Sequence, residues 1–373
     1  MKFMIISIIN PIQATYIFIA IFSVAILFSL RSKKNHDFFP IETTNELKGL
    51  AILLVIFGHI GYFLVDDHSF LFPLSTIAGV GVDIFLFLSG YGLVVSALKK
   101  TLTIFQFYKT RLIKLLIPLW ITLGTFFLLD FFALNKVYTG GYILSSFIGF
   151  FTSADLYNDI NSPLWYFTLI LFYYLIFPLV FIKKYPYFSA IIIYILTYII
   201  IALNPIWLSK VKFFHEIHLL AFPAGVLVAS LLFYSQNFIK NINLSNFLKN
   251  KKLIEIIKKI VYCLSISVLL FVIVYTVYNS GIGKGVWIEQ LMSLTTTLAF
   301  VVLFLIKKLR IELLYLFGLY SYEIYLLHWP ILYRYDFIFK FLPPWLSMIV
   351  YLGLFLGLGW LLQKITKLIY SKI

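Results

Sequence analysis

Lys48-Gly-Leu-Ala-Ile-Leu-Leu-Val-Ile-Phe-Gly-His59 opens an apolar run of membrane length, about 49–65, with one ionisable group inside it, His59. Lys48 and His59 are eleven residues apart, close to three helical turns. They therefore share one helix face, about 16 Å apart. This spacing predicts a histidine near the middle of a hydrocarbon core about 30 Å thick. A titratable imidazole at that depth is costly, so it marks a functional site by default.

The rest of the chain has the same character. Of its 373 residues, 62% are hydrophobic and only 12% charged, about half the charged fraction of a soluble domain. A soluble fold cannot hide that much apolar surface, so the expected fold is all-α, a polytopic transmembrane bundle. Eleven apolar runs are long enough to span: roughly 12–30, 49–65, 77–98, 112–134, 163–182, 187–204, 216–234, 257–279, 288–307, 312–335 and 346–369. The apolar piece 142–152 is too short and reads as interfacial or re-entrant. The single cysteine, Cys263, excludes an intrachain disulfide framework and a cysteine metal cluster. The first run reaches Arg31, Lys33 and Lys34 with no small-residue cleavage site, and is expected to remain as a membrane helix.

The net charge of +15 reads as positive cytoplasmic loops, not as a nucleic-acid surface. With the N-terminus placed outside, the inner segments 31–48, 99–114, 183–184, 235–259, 307–310 and the C-terminal tail hold 23 of the 30 Lys and Arg residues. That asymmetry predicts an outside N-terminus and a cytoplasmic C-terminus. The largest outer loop, about 135–162, carries Asp155 and Asp159.

Four stretches carry chemistry. The first is Lys48…His59. The second is Gly79-Val-Gly-Val-Asp83-Ile-Phe-Leu-Phe-Leu-Ser89-Gly-Tyr91, an acid near the outer end of a span followed by a Ser-Gly break. The third is Phe107-Tyr-Lys109-Thr-Arg111-Leu-Ile-Lys114-Leu-Leu-Ile-Pro118, a basic and aromatic entry to the next span from the cytoplasm. The fourth is Ser321-Tyr-Glu323-Ile-Tyr325-Leu-Leu-His328-Trp-Pro330, in which Ser321, Tyr325 and His328 share a helix face while Glu323 points elsewhere.

Together with Pro163-Leu164-Trp165, these stretches resemble the acyltransferase-3 family of integral membrane acyltransferases over about 45–365. Two departures stand out. Lys48 replaces the family's usual arginine, keeping a point charge but losing the bidentate fork. The Tyr166-Phe-Thr-Leu-Ile-Leu-Phe-Tyr run replaces the acidic run of some members, as in members similar to surface-glycan acetyltransferases.

The resemblance implies a ten-helix acyltransferase domain, 45–373, preceded by an extra N-terminal transmembrane helix and cytoplasmic linker, 1–44. It implies transfer of an acyl group, commonly acetyl, from acetyl-CoA as co-substrate with no bound cofactor. The acceptor is a hydroxyl of an extracytoplasmic polysaccharide or lipid-linked sugar, and the location a bacterial cytoplasmic membrane. The expected partners are the lipid bilayer, acyl-CoA and the glycan, with no nucleic acid. Lys48, Lys109, Arg111 and Lys114 are expected to hold the anionic donor. His59 is the expected general base, with Asp83 or Glu323 orienting it. His328 shares that role or polarises the thioester, and Ser89 is available for an acyl-enzyme. Trp165 and Tyr325 fall on the acceptor side. A transporter or flippase of a lipid-linked sugar and a glycan polymerase are the competing readings. Neither paired broken helices nor a large basic outer loop is present to favour them.

Overall fold

The computed structural model describes residues 8–33, 39–63, 69–99, 103–239, 251–280 and 285–372. The stretch 240–250, part of an inner segment counted above, lies outside them.

The described chain is a helical bundle with two three-residue strands. In order it runs α1 (Pro11–Phe28), β1 (Leu30–Ser32), α2 (Ile41–Ile60), α3 (Ala78–Lys99), α4 (Ile104–Leu134), α5 (Gly140–Ile148), α6 (Trp165–Val180), α7 (Pro186–Leu203), α8 (Lys212–Ile217) and α9 (Ala221–Ile239). It continues α10 (Lys251–Asn279), α11 (Val286–Ile306), β2 (Leu309–Ile311), α12 (Glu312–Leu319), α13 (Ser321–Tyr333), α14 (Ile338–Phe341) and α15 (Pro344–Tyr370). Among the described residues, nine helical segments are long and apolar enough to cross a membrane, with α8 and α9 forming one of them. The other two expected spans are α2, which carries Glu42, Glu46 and Lys48 in its first half, and the α12–α13 pair, broken at Tyr320. The protein is a multi-pass membrane protein. α5, on the short apolar piece, has nine residues and is too short to span.

Helix boundaries follow caps, whereas hydropathy follows burial, and the two disagree at the site. α4 starts eight residues before its apolar run because Thr103 and Gln106 form a reciprocal capping box. Lys109, Arg111 and Lys114 are therefore helical. α2 starts at Ile41 after Pro40 and gives way to a 3₁₀ turn at Gly61–Phe63. His59 is thus its penultimate residue. The helix begins eight residues before the apolar run 49–65 and gives way just after His59, so the helix is offset from the run toward the charged end.

The tightest packing joins α2 to α12. A Cβ on Gly49 would lie 1.8 Å from the Leu314 carbonyl oxygen, and one on Gly318 1.8 Å from that of Asn45. Only glycine lets these backbones touch. On its other side α2 packs antiparallel to α3, with Gly58 against Ala78 and Gly81 against Ala51.

β1 pairs antiparallel with β2, Arg31 opposite Arg310, tying the end of α1 to the start of α12. Beside it the buried Glu46 pairs with Lys307 and accepts the Ile311 N–H at 2.6 Å. Arg310 bridges Glu42 and Glu312.

Gly318→Ala should cost about 1–3 kcal/mol or more, because the clash is with backbone. Gly124→Ala, with nothing within 4 Å of the added carbon, should be neutral or stabilising. Thermal unfolding of the purified variants in detergent checks this; equal midpoints would refute the contact.

Candidate active site

α2 and α13 bring two imidazoles together across 269 residues of chain. His59 Nδ1 lies 2.8 Å from His328 Nε2. The ring centroids are 5.0 Å apart and the planes differ by 7°. The nitrogen separation plus two ring radii accounts for nearly all of that distance, so the rings meet edge to edge and not face to face. His328 Nδ1 lies 2.9 Å from the Tyr325 carbonyl and 3.2 Å from that of Ile324.

A carbonyl only accepts, which assigns the proton to Nδ1 of His328 and leaves its Nε2 as an acceptor. The His59 Nδ1–H then donates to it, so the His59 Nε2 carries a lone pair. His328 is fully buried and has both nitrogens engaged, while His59 is half-buried. Trp329 meets the His59 ring edge-on at 5.0 Å, and Tyr62 flanks both.

A cavity of about 180 Å³ lies at the level of Lys48, which is the one charged residue of its wall among the described residues. Phe85, Ser89, Tyr166, Ser321 and Tyr325 also line it. Tyr325 connects the two regions: its ring is 6.2 Å from that of His328, and its hydroxyl donates to the Pro163 carbonyl at 2.8 Å. The α2–α3 register puts Ser89 near Lys48, about 16 Å along the helix from His59. An acyl group on Ser89 would be out of reach of that imidazole. Arg111 is half-buried and within electrostatic range of Lys48, whereas Lys109 and Lys114 are exposed on α4.

The expected carboxylate partners of His59 stand elsewhere. Asp83 lies 2.7 Å from His218 Nδ1 and accepts the Ser293 hydroxyl, so three helical segments converge on one buried carboxylate. Glu323 is near Gln363 and within electrostatic range of Lys367 and Lys48. The expected contact of His59 with Asp83 or Glu323 is therefore corrected: His59 meets His328 instead. Helix α13 turns Glu323 away from His328, and α3 turns Asp83 toward α8. Trp165 stacks on Phe214 at 5.0 Å and on His218 at 5.6 Å.

Sequence reasoning missed His215, His218 and Ser293. The two histidines, three residues apart at the head of a span, carried the same signal as His59, a titratable group beside an apolar run. Next to His215, α6 and α7 wall an apolar cavity of about 210 Å³.

Two helix prolines free carbonyls that side chains then satisfy. Pro330 has no N–H for the Leu326 oxygen, and Asn161 Nδ2 donates to it at 2.9 Å. Pro118 frees the Lys114 oxygen, which accepts the Tyr370 hydroxyl at 3.2 Å. Farther out, buried Asp130 accepts from Arg334, Tyr138 and Tyr335, and Arg334 also donates to the Asp159 carbonyl. The segment 159–163 is thus stitched along α13, the helix that carries His328.

Such a site, two facing imidazoles in a bundle of membrane spans, has the chemistry to accept and pass on a proton. The family model described as an acyltransferase domain matches residues 44–364. The chain belongs to that family, acyltransferase-3, and is a membrane acyltransferase. No curated protein and no solved structure matches it.

Asp83→Ala would remove the acceptor that His218 and Ser293 share in the interior. Each buried donor left without a partner costs about 1–3 kcal/mol. The variant should therefore lose much of its folded yield. A thermal midpoint equal to wild type would show that the contact joins nothing.

Proposed function

We propose that this acyltransferase moves an acyl group, acetyl by preference, from acyl-CoA on the cytoplasmic side to a hydroxyl of an extracytoplasmic polysaccharide or lipid-linked sugar. The observation that carries the reading is the lone pair on His59 Nε2, which has no partner among the described residues, next to an imidazole that already uses both of its nitrogens. A sugar hydroxyl is a poor nucleophile until a base takes its proton. His59 Nε2 accepts that proton as the hydroxyl oxygen bonds to the thioester carbonyl carbon. The new imidazolium is stabilised by its Nδ1–H bond to His328, whose own N–H rests on the Tyr325 carbonyl. The C–S bond then breaks, and the thiolate leaves with the proton from His59. With both nitrogens engaged, His328 is the orienting partner and not the group that polarises the carbonyl.

The spacing between Lys48 and His59 suits the donor. In a phosphopantetheine arm about 13 bonds separate thioester sulfur from phosphorus. At about 1.2 Å of advance per bond, the rate of an extended peptide, the arm spans about 16 Å. A thioester at His59 therefore puts the first phosphate near Lys48 and Arg111, with the arm beside the aromatic wall of the cavity. Trp165 belongs to the acceptor side in this reading, while Tyr325 stands between the donor cavity and His328. The apolar cavity beside His215 is large enough for a small ring or several carbons of a lipid carrier.

The two ends of the donor should separate kinetically. With acetyl-CoA and a surface polysaccharide as acceptor, His59→Ala should lower kcat by about 10²–10⁴ while the protein stays folded. Lys48→Ala should raise the donor KM roughly tenfold to a hundredfold, the loss of one charge-assisted contact. Product formation by His59→Ala within a few-fold of wild type would remove the proposed base.

The donor side follows from the distribution of basic residues. A topology reporter fused after Ile373 should be active only in its cytoplasmic form. Activity of an exterior reporter there would reverse the assignment of Lys48 and Arg111.

A further inference from the structure

Helix α1 lies outside the family match, which begins at residue 44, yet it touches both histidine-bearing spans. Toward one end, the Thr15 hydroxyl accepts the Leu71 N–H at 2.8 Å and donates to the Pro11 carbonyl at 2.7 Å. Leu71 sits in the left-handed region at φ 61°, fully buried. A leucine there is unfavourable and persists only where its surroundings hold it. The Leu71 carbonyl accepts the Ser75 N–H at 3.0 Å, and the turn Leu74–Thr76 lies against α2, with Ser75 facing Gly61, two residues beyond His59. One turn further along α1, the buried Phe18 meets Phe57 edge-on at 5.6 Å, two residues before His59. At the other end, the Ser29 carbonyl accepts the Glu312 N–H at 2.9 Å where α12 begins, and β1 pairs with β2. α1 is therefore clasped to the end of α2 that carries His59 and to the span that carries His328.

We propose that α1 is a working part of the acyl-transfer site, with Thr15 as a positioning residue that sets His59 against His328 through the Leu71–Ser75 turn. The proposal rests on His59 as the base. Thr15 touches neither histidine; it fixes the turn that packs on the end of α2. Loss of its hydroxyl leaves the Leu71 N–H without an acceptor and releases a turn that holds an unfavourable backbone conformation.

The test compares Thr15→Val with Thr15→Ser, which keeps the oxygen. A misplacement of about 1 Å costs on the order of 10²-fold in rate. Thr15→Val should therefore lower kcat per folded molecule roughly tenfold to a hundredfold, with the donor KM unchanged because Lys48 lies about 16 Å from His59. Thr15→Ser should restore kcat. A second readout needs no activity. In protein with ¹⁵N-labelled histidine, only six residues contribute signals. The His59 ring nitrogens should shift in Thr15→Val and return to their wild-type positions in Thr15→Ser. Unchanged kcat per folded molecule, or unchanged His59 nitrogen shifts, in Thr15→Val would overturn the proposal. A wild-type protein that transfers no acyl group would sink the acyltransfer reading, and the nitrogen shifts would still decide whether Thr15 positions His59.

Discussion

Two backbones in contact set the geometry of this protein. At Gly49 and Gly318, α2 and α12 approach so closely that a methyl group on either would overlap a carbonyl oxygen of the other helix. Lipid tails are as apolar as the side chains they would replace, so helix association in a membrane depends on such close fits and on polar contacts. Once α2 and α12 are fixed, the break at Tyr320 lets α13 diverge and carry His328 to the far end of α2, where His59 stands. The imidazole pair is a consequence of that contact and of that break.

Polar groups complete the bundle because hydrocarbon offers them no other partner. Carbonyls freed by Pro118 and Pro330 are taken by Tyr370 and Asn161. Asp83, Asp130 and Glu46 each gather donors from distant segments. These carboxylates act as joints between helices. His59 differs from them: among the described residues one nitrogen has a partner and the other has none. That inequality separates a site from a joint, since a fully satisfied buried group has no capacity left for a substrate.

Much of this was readable from the amino acids. Long apolar runs marked the spans, because a helix must be about 20 residues long to cross a bilayer and must hide its backbone. His59 and His328 stood out as titratable groups inside such runs. The partners were not readable. Asp83 meets His218 and Ser293, 135 and 210 residues away, and no local pattern encodes which face of a helix meets which neighbour. The ends of α2 and α4 were misplaced for a related reason. Hydropathy reports where lipid lies, while capping groups such as Thr103 decide where a helix begins.

By itself, then, the sequence determined the all-α membrane class, the inventory of ionisable groups and the spacing of about 16 Å between Lys48 and His59, since each depends only on residue type and helical rise. The tertiary structure alone decided that His328 meets His59, that Asp83 meets His218 and Ser293 instead, that Ser89 shares a cavity wall with Lys48, and that the Thr15 hydroxyl of α1 accepts the Leu71 N–H. These are contacts between residues remote in the chain. They depend on helix rotation and register, which are set by small residues and polar joints acting together, and not by the apolar pattern of any single segment.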